Sequence, residues 1–483
     1  MIRFAIMQLL RGVLKKGTRE GEILVRRKKW TAGIMAGVMI ACVLVGCGQK
    51  EQEEIPPPAS VGTPETEEKT EASGTTVTDE GIISGKLTIN LWDNEYAGQA
   101  AIEAFQKAYP DVEVTLNLTP FLDYQSKLFT SLAGGETMDV FFMRENETYQ
   151  TYIEKGLCMP LDDMIENNQF DMSVYENYAD QIKYKGKVYS MPYRTGGYHL
   201  YYNKDLFDAA GVPYPDGTYT WDEFRDVARK LTSGDGADKV HGLYMMGWPW
   251  MQLFQAMQEG VTIVDDDYNI DLDCDEVRRS LEWYYGTCVE DGSQITPAEA
   301  TATNASITPL FVAGKTAMIL AGDYMAGNLK NNMKDGNIAF EWGMTHVPCN
   351  EGVEYSTQSI VTKACINAKA QNPELAFLFL SFLSGEEGQN AVAAAGSKPA
   401  LVTEEIKKTF KDNIEVYSDE QIDLYFENVK VFTEPLNLAA PYASTILTEE
   451  FSLYMTQNGQ DLETTINNCV TRLQEEIDQL DLD

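Results

Sequence analysis

Two short runs place recognition chemistry directly after apolar stretches. Trp92-Asp93-Asn94-Glu95 follows Leu87–Leu91, and Arg144-Glu145 follows Asp139-Val140-Phe141-Phe142. Further groups of this type are Tyr193-Arg194, Trp248-Pro249-Trp250, Asp323-Tyr324 after Ala317–Ala321, and Gln358. Rings, carboxylates, amides and guanidinium groups bind a ligand by ring contact and hydrogen bonds. Motifs for bond-making chemistry are missing: the chain has no G-x-S-x-G elbow, no H-E-x-x-H and no Walker A loop. Paired carboxylates could be drawn from many places among 74 Asp and Glu, so their presence does not point to hydrolysis.

The elements that must position these groups read as alternating types. Leu87–Trp92 has strand composition, Ala100–Ala108 spaces its apolar residues as a helix does, and Val112–Leu118 alternates again. Strand, helix, strand at this spacing predicts a parallel α/β sheet. In such sheets ligands bind outside the carboxyl ends of the strands, which is where Trp92–Glu95 and Arg144-Glu145 fall. The body from about Leu87 onward is longer than one core usually supports, which predicts two lobes. Thr220-Trp221-Asp222-Glu223 reads as a helix start with a capping box, and Trp221 as a packing residue. Of the two indoles in Trp248-Pro249-Trp250, one is expected in a core and the other free to stack.

Five blocks in order carry a resemblance: Tyr184–Tyr193, Leu200–Phe207, Tyr219–Phe224, Phe311–Met318 and the helix Asn372–Ser384. Over roughly residues 87 to 475 the chain resembles the carbohydrate-binding lipoproteins of ABC importers, the extracellular solute-binding proteins related to maltose-binding protein. The resemblance implies an α/β, two-lobed periplasmic-binding-protein-like fold, with the ligand cleft between lobes joined by a multi-strand hinge. It implies crossings near 194–199, at Gly196-Gly197, near Met318–Leu320 and near Gln358–Val361. Lobe 1 would then be 87–196 and 318–357, and lobe 2 would be 197–317 and 358–483. Where relatives commonly show a Gly pair, this chain has Ser356-Thr357-Gln358-Ser359.

A carbohydrate ligand offers C–H faces and hydroxyl rims, which suits Trp92, Asn94, Glu95, Arg144, Glu145, Tyr193, Arg194, Trp248, Trp250, Asp323, Tyr324 and Gln358 as ligand-binding candidates. The number of aromatic candidates favours an oligosaccharide. The resemblance also implies a permease partner with a separate cytoplasmic ATPase, a monomeric receptor, no cofactor and no catalysis. A secreted enzyme acting on carbohydrate and a receptor for a non-sugar solute are the alternatives.

Upstream, Arg26-Arg27-Lys28-Lys29 precedes the 15-residue apolar run 31–45, which ends at Leu44-Val45-Gly46-Cys47. That run falls short of the ~20 residues of a membrane span. The pattern resembles the lipobox of bacterial lipoproteins, with cleavage before Cys47 and acylation of its thiol. Residues 1–46 are therefore expected to be a signal peptide, and the long approach to the basic cluster points to a translation start near Leu24 or Val25. Residues 47–86, with Pro56-Pro57-Pro58, many Glu and Thr and no aromatic residue, are expected to be a disordered stalk with a reach of ~35 Å. Stalk and anchor together lean towards a Gram-positive surface.

Formal charge is −36; residues 1–46 hold nine Lys or Arg and two Asp or Glu, so their removal leaves −43. Such acidity excludes nucleic acid as a partner and leaves membrane attachment to the lipid. Beyond Cys42 and Cys47 six cysteines remain, none in a C-x-x-C pair, and with three histidines a zinc site is not expected. They are expected to be mostly buried thiols, with room for one bridge. Asp265–Glu276 offers oxygen groups in an EF-hand register, but Ile270 stands where the turn needs Gly, so an acidic hairpin is expected.

Overall fold

The computed structural model describes residues 76–77, 83–143 and 146–480. The signal peptide, Cys47 and most of the stalk lie outside the described residues, as do Arg144 and Glu145. Twelve strands occur among the described residues. In chain order they are β1 (Thr76–Val77), β2 (Ile83–Trp92), β3 (Val112–Thr119), β4 (Val140–Met143), β5 (Lys183–Tyr184) and β6 (Lys187–Val188). Then come β7 (Met191–Gly197), β8 (His199–Asn203), β9 (Met318–Ala321), β10 (Trp342–Thr345), β11 (Ser356–Ile366) and β12 (Lys430–Phe432).

The expected parallel unit is present. In β2, Leu87, Ile89 and Leu91 are fully buried and alternate with half-buried Thr88 and Asn90, so one face packs inward. Strand β2 pairs in parallel with β3 and with β4. The crossover helix Tyr96–Ala108 buries Ala97, Ala101, Ile102 and Phe105, and Phe105 meets Phe379 and Phe382 edge-on at 5.2 and 5.5 Å. Those rings come from the helix Pro373–Ser384, so the first core joins the start of the body to a piece about 280 residues later.

This larger sheet has seven strands: β7 and β4 flank β11, both antiparallel to it, and β12 pairs in parallel with the start of β11. A second sheet of three antiparallel strands has the order β10-β8-β9. Around it packs a second core from the helices Trp221–Leu231 and Asp275–Tyr285 and the C-terminal helices Ala440–Tyr454 and Leu462–Ile477. The capping box at Thr220 is formed as expected, and Trp221 is 1 % exposed.

The chain passes from the larger sheet to the smaller at Tyr198, between β7 and β8, within the expected 194–199. The other expected crossings need correction. Met318–Ala321 lies wholly within the smaller sheet, paired with β8, and Ser356–Ile366 lies in the larger one. The allocation of 318–357 to lobe 1 and 358–483 to lobe 2 therefore does not match the strand pairing. The return runs from β10 to β11, and a further connection leaves β12 for the helix starting at Ala440. All four residues of β9 are fully buried, so the run has no polar face, and nothing in its pattern identifies the sheet it joins.

Ile83–Lys86, assigned to the stalk, instead open β2: Ile83 and Ser84 pair with β1, and Gly85 and Lys86 with β3. The acidic hairpin is present: Val264 bridges Ile270, and Asp265 Oδ1 accepts the backbone N–H of Asp267 and Asn269 at 2.9 and 2.8 Å. Cys158, Cys288, Cys365 and Cys469 are buried free thiols, and Cys274 and Cys349 are half-buried and also free.

Candidate functional site

The end of β2, strand β7 and the end of β9 converge on one guanidinium. Arg194 Nε and one terminal nitrogen donate to the two carboxylate oxygens of Glu95 at 3.0 and 2.9 Å. Its other terminal nitrogen donates to both oxygens of Asp323 at 2.9 and 3.1 Å. Glu95 is the N-cap residue of the helix Tyr96–Ala108 and Asp323 that of the helix Tyr324–Lys334, and neither side chain caps its helix by a hydrogen bond. The side chains are 11 %, 6 % and 8 % exposed for Arg194, Glu95 and Asp323.

Burial works against the Arg194 charge, but Asp323 and Glu95 outweigh it and hold the group well above its ordinary pKa. One cation between two carboxylates leaves the cluster net negative. Gly196 is required here: a Cβ at this position would stand 2.2 Å from Asp323 Cβ, so β7 could not approach the end of β9 with any side chain present. The Asp323 carbonyl in turn accepts from the Tyr425 hydroxyl at 3.0 Å.

A second pair lies where β11 meets the segment after β12. Gln358 Nε2 donates to Glu434 Oε2 at 2.7 Å, and both side chains are buried. Burial, with the Glu147 carboxylate nearby, pushes Glu434 up to about 7. Several buried polar atoms in the neighbouring segments have no hydrogen-bond partner: Asn146 Oδ1, Tyr193 OH, Gln252 Oε1, Gln255 Oε1 and Gln358 Oε1. Unsatisfied buried groups are uncommon in a packed interior and mark places where a polar ligand or water completes the bonding.

The twelve sequence candidates separate clearly. Glu95, Arg194 and Asp323 meet in one cluster, with half-buried Tyr324 beside it, and Gln358 joins Glu434. Trp92, Tyr193 and Trp250 are 3 %, 0 % and 7 % exposed and belong to the cores, so none presents a ring face to solvent. Trp92 packs on Tyr124 at 5.3 Å and Tyr193 on Phe142 at 5.1 Å. Asn94 is exposed and Trp248 is 38 % exposed, giving the expected division of the two indoles. Arg144 and Glu145 lie outside the described residues.

Sequence reasoning missed Glu434, Tyr198 and Tyr96. Glu434 follows a strand of only three residues, too short to show alternation, whereas Asp323 is signalled by the five-residue apolar run Ala317–Ala321 before it. Tyr198, 5 % exposed, is the residue between β7 and β8, and Tyr96 is 47 % exposed beside Glu95.

The family of bacterial extracellular solute-binding proteins matches residues 92–390. The chain is 25 % identical over 280 residues to the lactose-binding protein of Rhizobium radiobacter, covering 55 % of this chain and 62 % of that protein. It spans about two thirds of the length of the curated relatives it matches. A sugar transporter from Rhizobium etli in an open conformation superposes with a TM-score of 0.65 at 26 % identity, covering 81 % of this chain and 99 % of that one. An ABC substrate-binding protein from Listeria monocytogenes in complex with cycloalternan superposes with a TM-score of 0.72 at 24 % identity, again covering 81 % and 99 %. The two sheets and their cores are the lobes of a substrate-binding-protein fold. No helix among the described residues is long and apolar enough to cross a membrane.

Proposed function

Because the chain belongs to the bacterial extracellular solute-binding protein family, we propose that it captures a carbohydrate, an oligosaccharide in preference to a monosaccharide, for an ABC importer. The observation that carries this reading is Arg194, which joins Glu95 from the end of one sheet to Asp323 from the end of the other. A ligand lying against this cluster meets hydrogen-bonding groups of both lobes, so its contacts are complete only when the lobes are together. Closure follows as a population shift driven by that differential binding. Buried acceptors at Gln252, Gln255 and Gln358 suit sugar hydroxyls, and the exposed rings of Trp248 and Tyr96 suit its C–H faces.

In this account the closed, monomeric receptor hands its sugar to a membrane permease whose ATPase is a separate chain. It performs no chemistry on the ligand. Acylated Cys47 holds it at the outer face of the membrane. A thermal-shift screen against mono- and oligosaccharides tests the reading. A ligand at ~100 times its dissociation constant stabilises the fold by about 2.7 kcal/mol. A raised melting temperature with the sugar recovered intact supports the receptor; a sugar returned cleaved identifies an enzyme, and stabilisation by a non-sugar solute alone shifts the ligand class.

A further inference from the structure

The chain first crosses between the lobes at Tyr198, and the backbone of this residue is fastened to the return crossing. Its N–H donates to Thr357 Oγ1 at 3.1 Å and to the Gln358 carbonyl at 3.2 Å, and its carbonyl accepts from Thr357 Oγ1 at 2.9 Å. The ring packs edge-on to Phe254 at 6.3 Å. It also lies against Gly322, where a Cβ would stand 3.7 Å from Tyr198 Cε2 and 3.2 Å from Tyr324 Cε1. Backbone and ring together hold the phenol in one place.

The hydroxyl is the part left over. Tyr198 OH makes no hydrogen bond among the described residues, yet unlike Tyr193 OH it is not sealed from solvent. A tyrosine hydroxyl in so buried a residue usually finds a partner. Side chains alternate along an extended strand, so Tyr198 follows Arg194 and Gly196 onto one face of the β7–β11 ribbon, the face on which Gly196 meets Asp323. Burial pushes the phenol well above its ordinary pKa; Tyr324, Glu434 and Asp323 raise it further and Arg194 opposes them. The group therefore keeps its hydrogen and stands as a donor, within the field of both the Arg194 cluster and the Gln358–Glu434 pair.

Resting on the receptor reading above, we propose that Tyr198 is a ligand-contacting residue whose hydroxyl donates to a hydroxyl oxygen of the bound sugar at the crossing between the lobes. A sugar hydroxyl suits this place because it accepts the phenol hydrogen and can offer its own to a neighbouring carboxylate. The donor is set by the hinge itself, since both crossings hold its backbone, so little ordering is left to be done when the sugar arrives.

Calorimetric titration of the full chain and of Tyr198→Phe with maltotriose, cellotriose, xylotriose and mannotriose tests the assignment. Phe keeps the ring packing and removes only the oxygen. The expected result is that a sugar bound by the parent binds Y198F about fivefold more weakly or worse, while the sugar-free variant melts with the parent. Tyr201→Phe supplies the contrast: its hydroxyl is buried and bonded to Tyr417 OH at 2.9 Å, so Y201F should melt lower and keep the parent's affinity. Equal affinity in Y198F, or a lower melting temperature of sugar-free Y198F, overturns the proposal and leaves the receptor reading standing. Binding of none of the four sugars by the parent counts against the oligosaccharide reading, and the proposal falls with it.

Discussion

Arg194 and Asp323 meet at 2.9 Å although 129 positions separate them, and the contact joins strand β7 of the larger sheet to the end of β9 in the smaller. A guanidinium is suited to this place because its fork serves two carboxylates at once and keeps its charge under burial. The contact also explains why β7 carries glycine at 196, where the Asp323 side chain occupies the space of a Cβ.

Replacing Arg194 by Met leaves Glu95 and Asp323 buried without their cation. Removing one partner of a buried ion pair costs about 3 to 5 kcal/mol. Urea unfolding should show a loss in that range; a loss under 1 kcal/mol would mean the cluster is solvated and not a fixed link.

Glu434 gives a pH signature. Its folded pKa of about 7 lies above the unfolded value, so the folded state binds the extra proton and stability falls as pH rises from about 4.5 to about 7. A shift of this size corresponds to a loss on the order of 3 kcal/mol. Glu434→Gln removes the titration, so it should match the parent near pH 4 and melt higher at pH 8. Parallel melting curves for the two proteins across that window would contradict the assignment.

The two indoles should respond differently to truncation. Trp250→Ala opens a core and should cost about 3 to 5 kcal/mol of stability. Trp248→Ala, at an exposed ring, should leave melting nearly unchanged and weaken the affinity for the stabilising sugar about tenfold, equivalent to about 1.4 kcal/mol. Equal effects on stability would place both rings in the core.

Thr220→Ala removes one half of the capping box at the helix Trp221–Leu231, the Glu223 N–H donated to Thr220 Oγ1 at 3.2 Å, and keeps the other, the Thr220 backbone N–H donated to the Glu223 carboxylate at 2.9 Å. The expected loss is about 1 kcal/mol in denaturant unfolding, with sugar affinity unchanged. A change in affinity would show that this helix start senses the cleft.

Much of this architecture was legible because local chemistry specifies it. Period-two burial in Leu87–Leu91, the capping box at Thr220 and the turn chemistry around Asp265 each act within a few residues. The cluster was legible in its parts, since Glu95, Arg194 and Asp323 all follow or end strands, but their meeting depends on three segments distant in sequence. Trp92 misled because a strand end fixes where a residue stands and not which face it presents; here the ring turns onto Tyr124. Met318–Ala321 gave no direction because a uniformly apolar strand fits either sheet. Glu434 stayed hidden because its strand is three residues long and its significance comes from Gln358, 76 positions away.

Isothermal titration calorimetry of the full chain with di- to tetrasaccharides, followed by analysis of the cell contents, tests the central claim most directly. The account predicts saturable one-to-one binding of at least one sugar, recovered intact. No binding heat from any sugar with a cooperatively melting protein, or recovery of cleaved sugar, would contradict it.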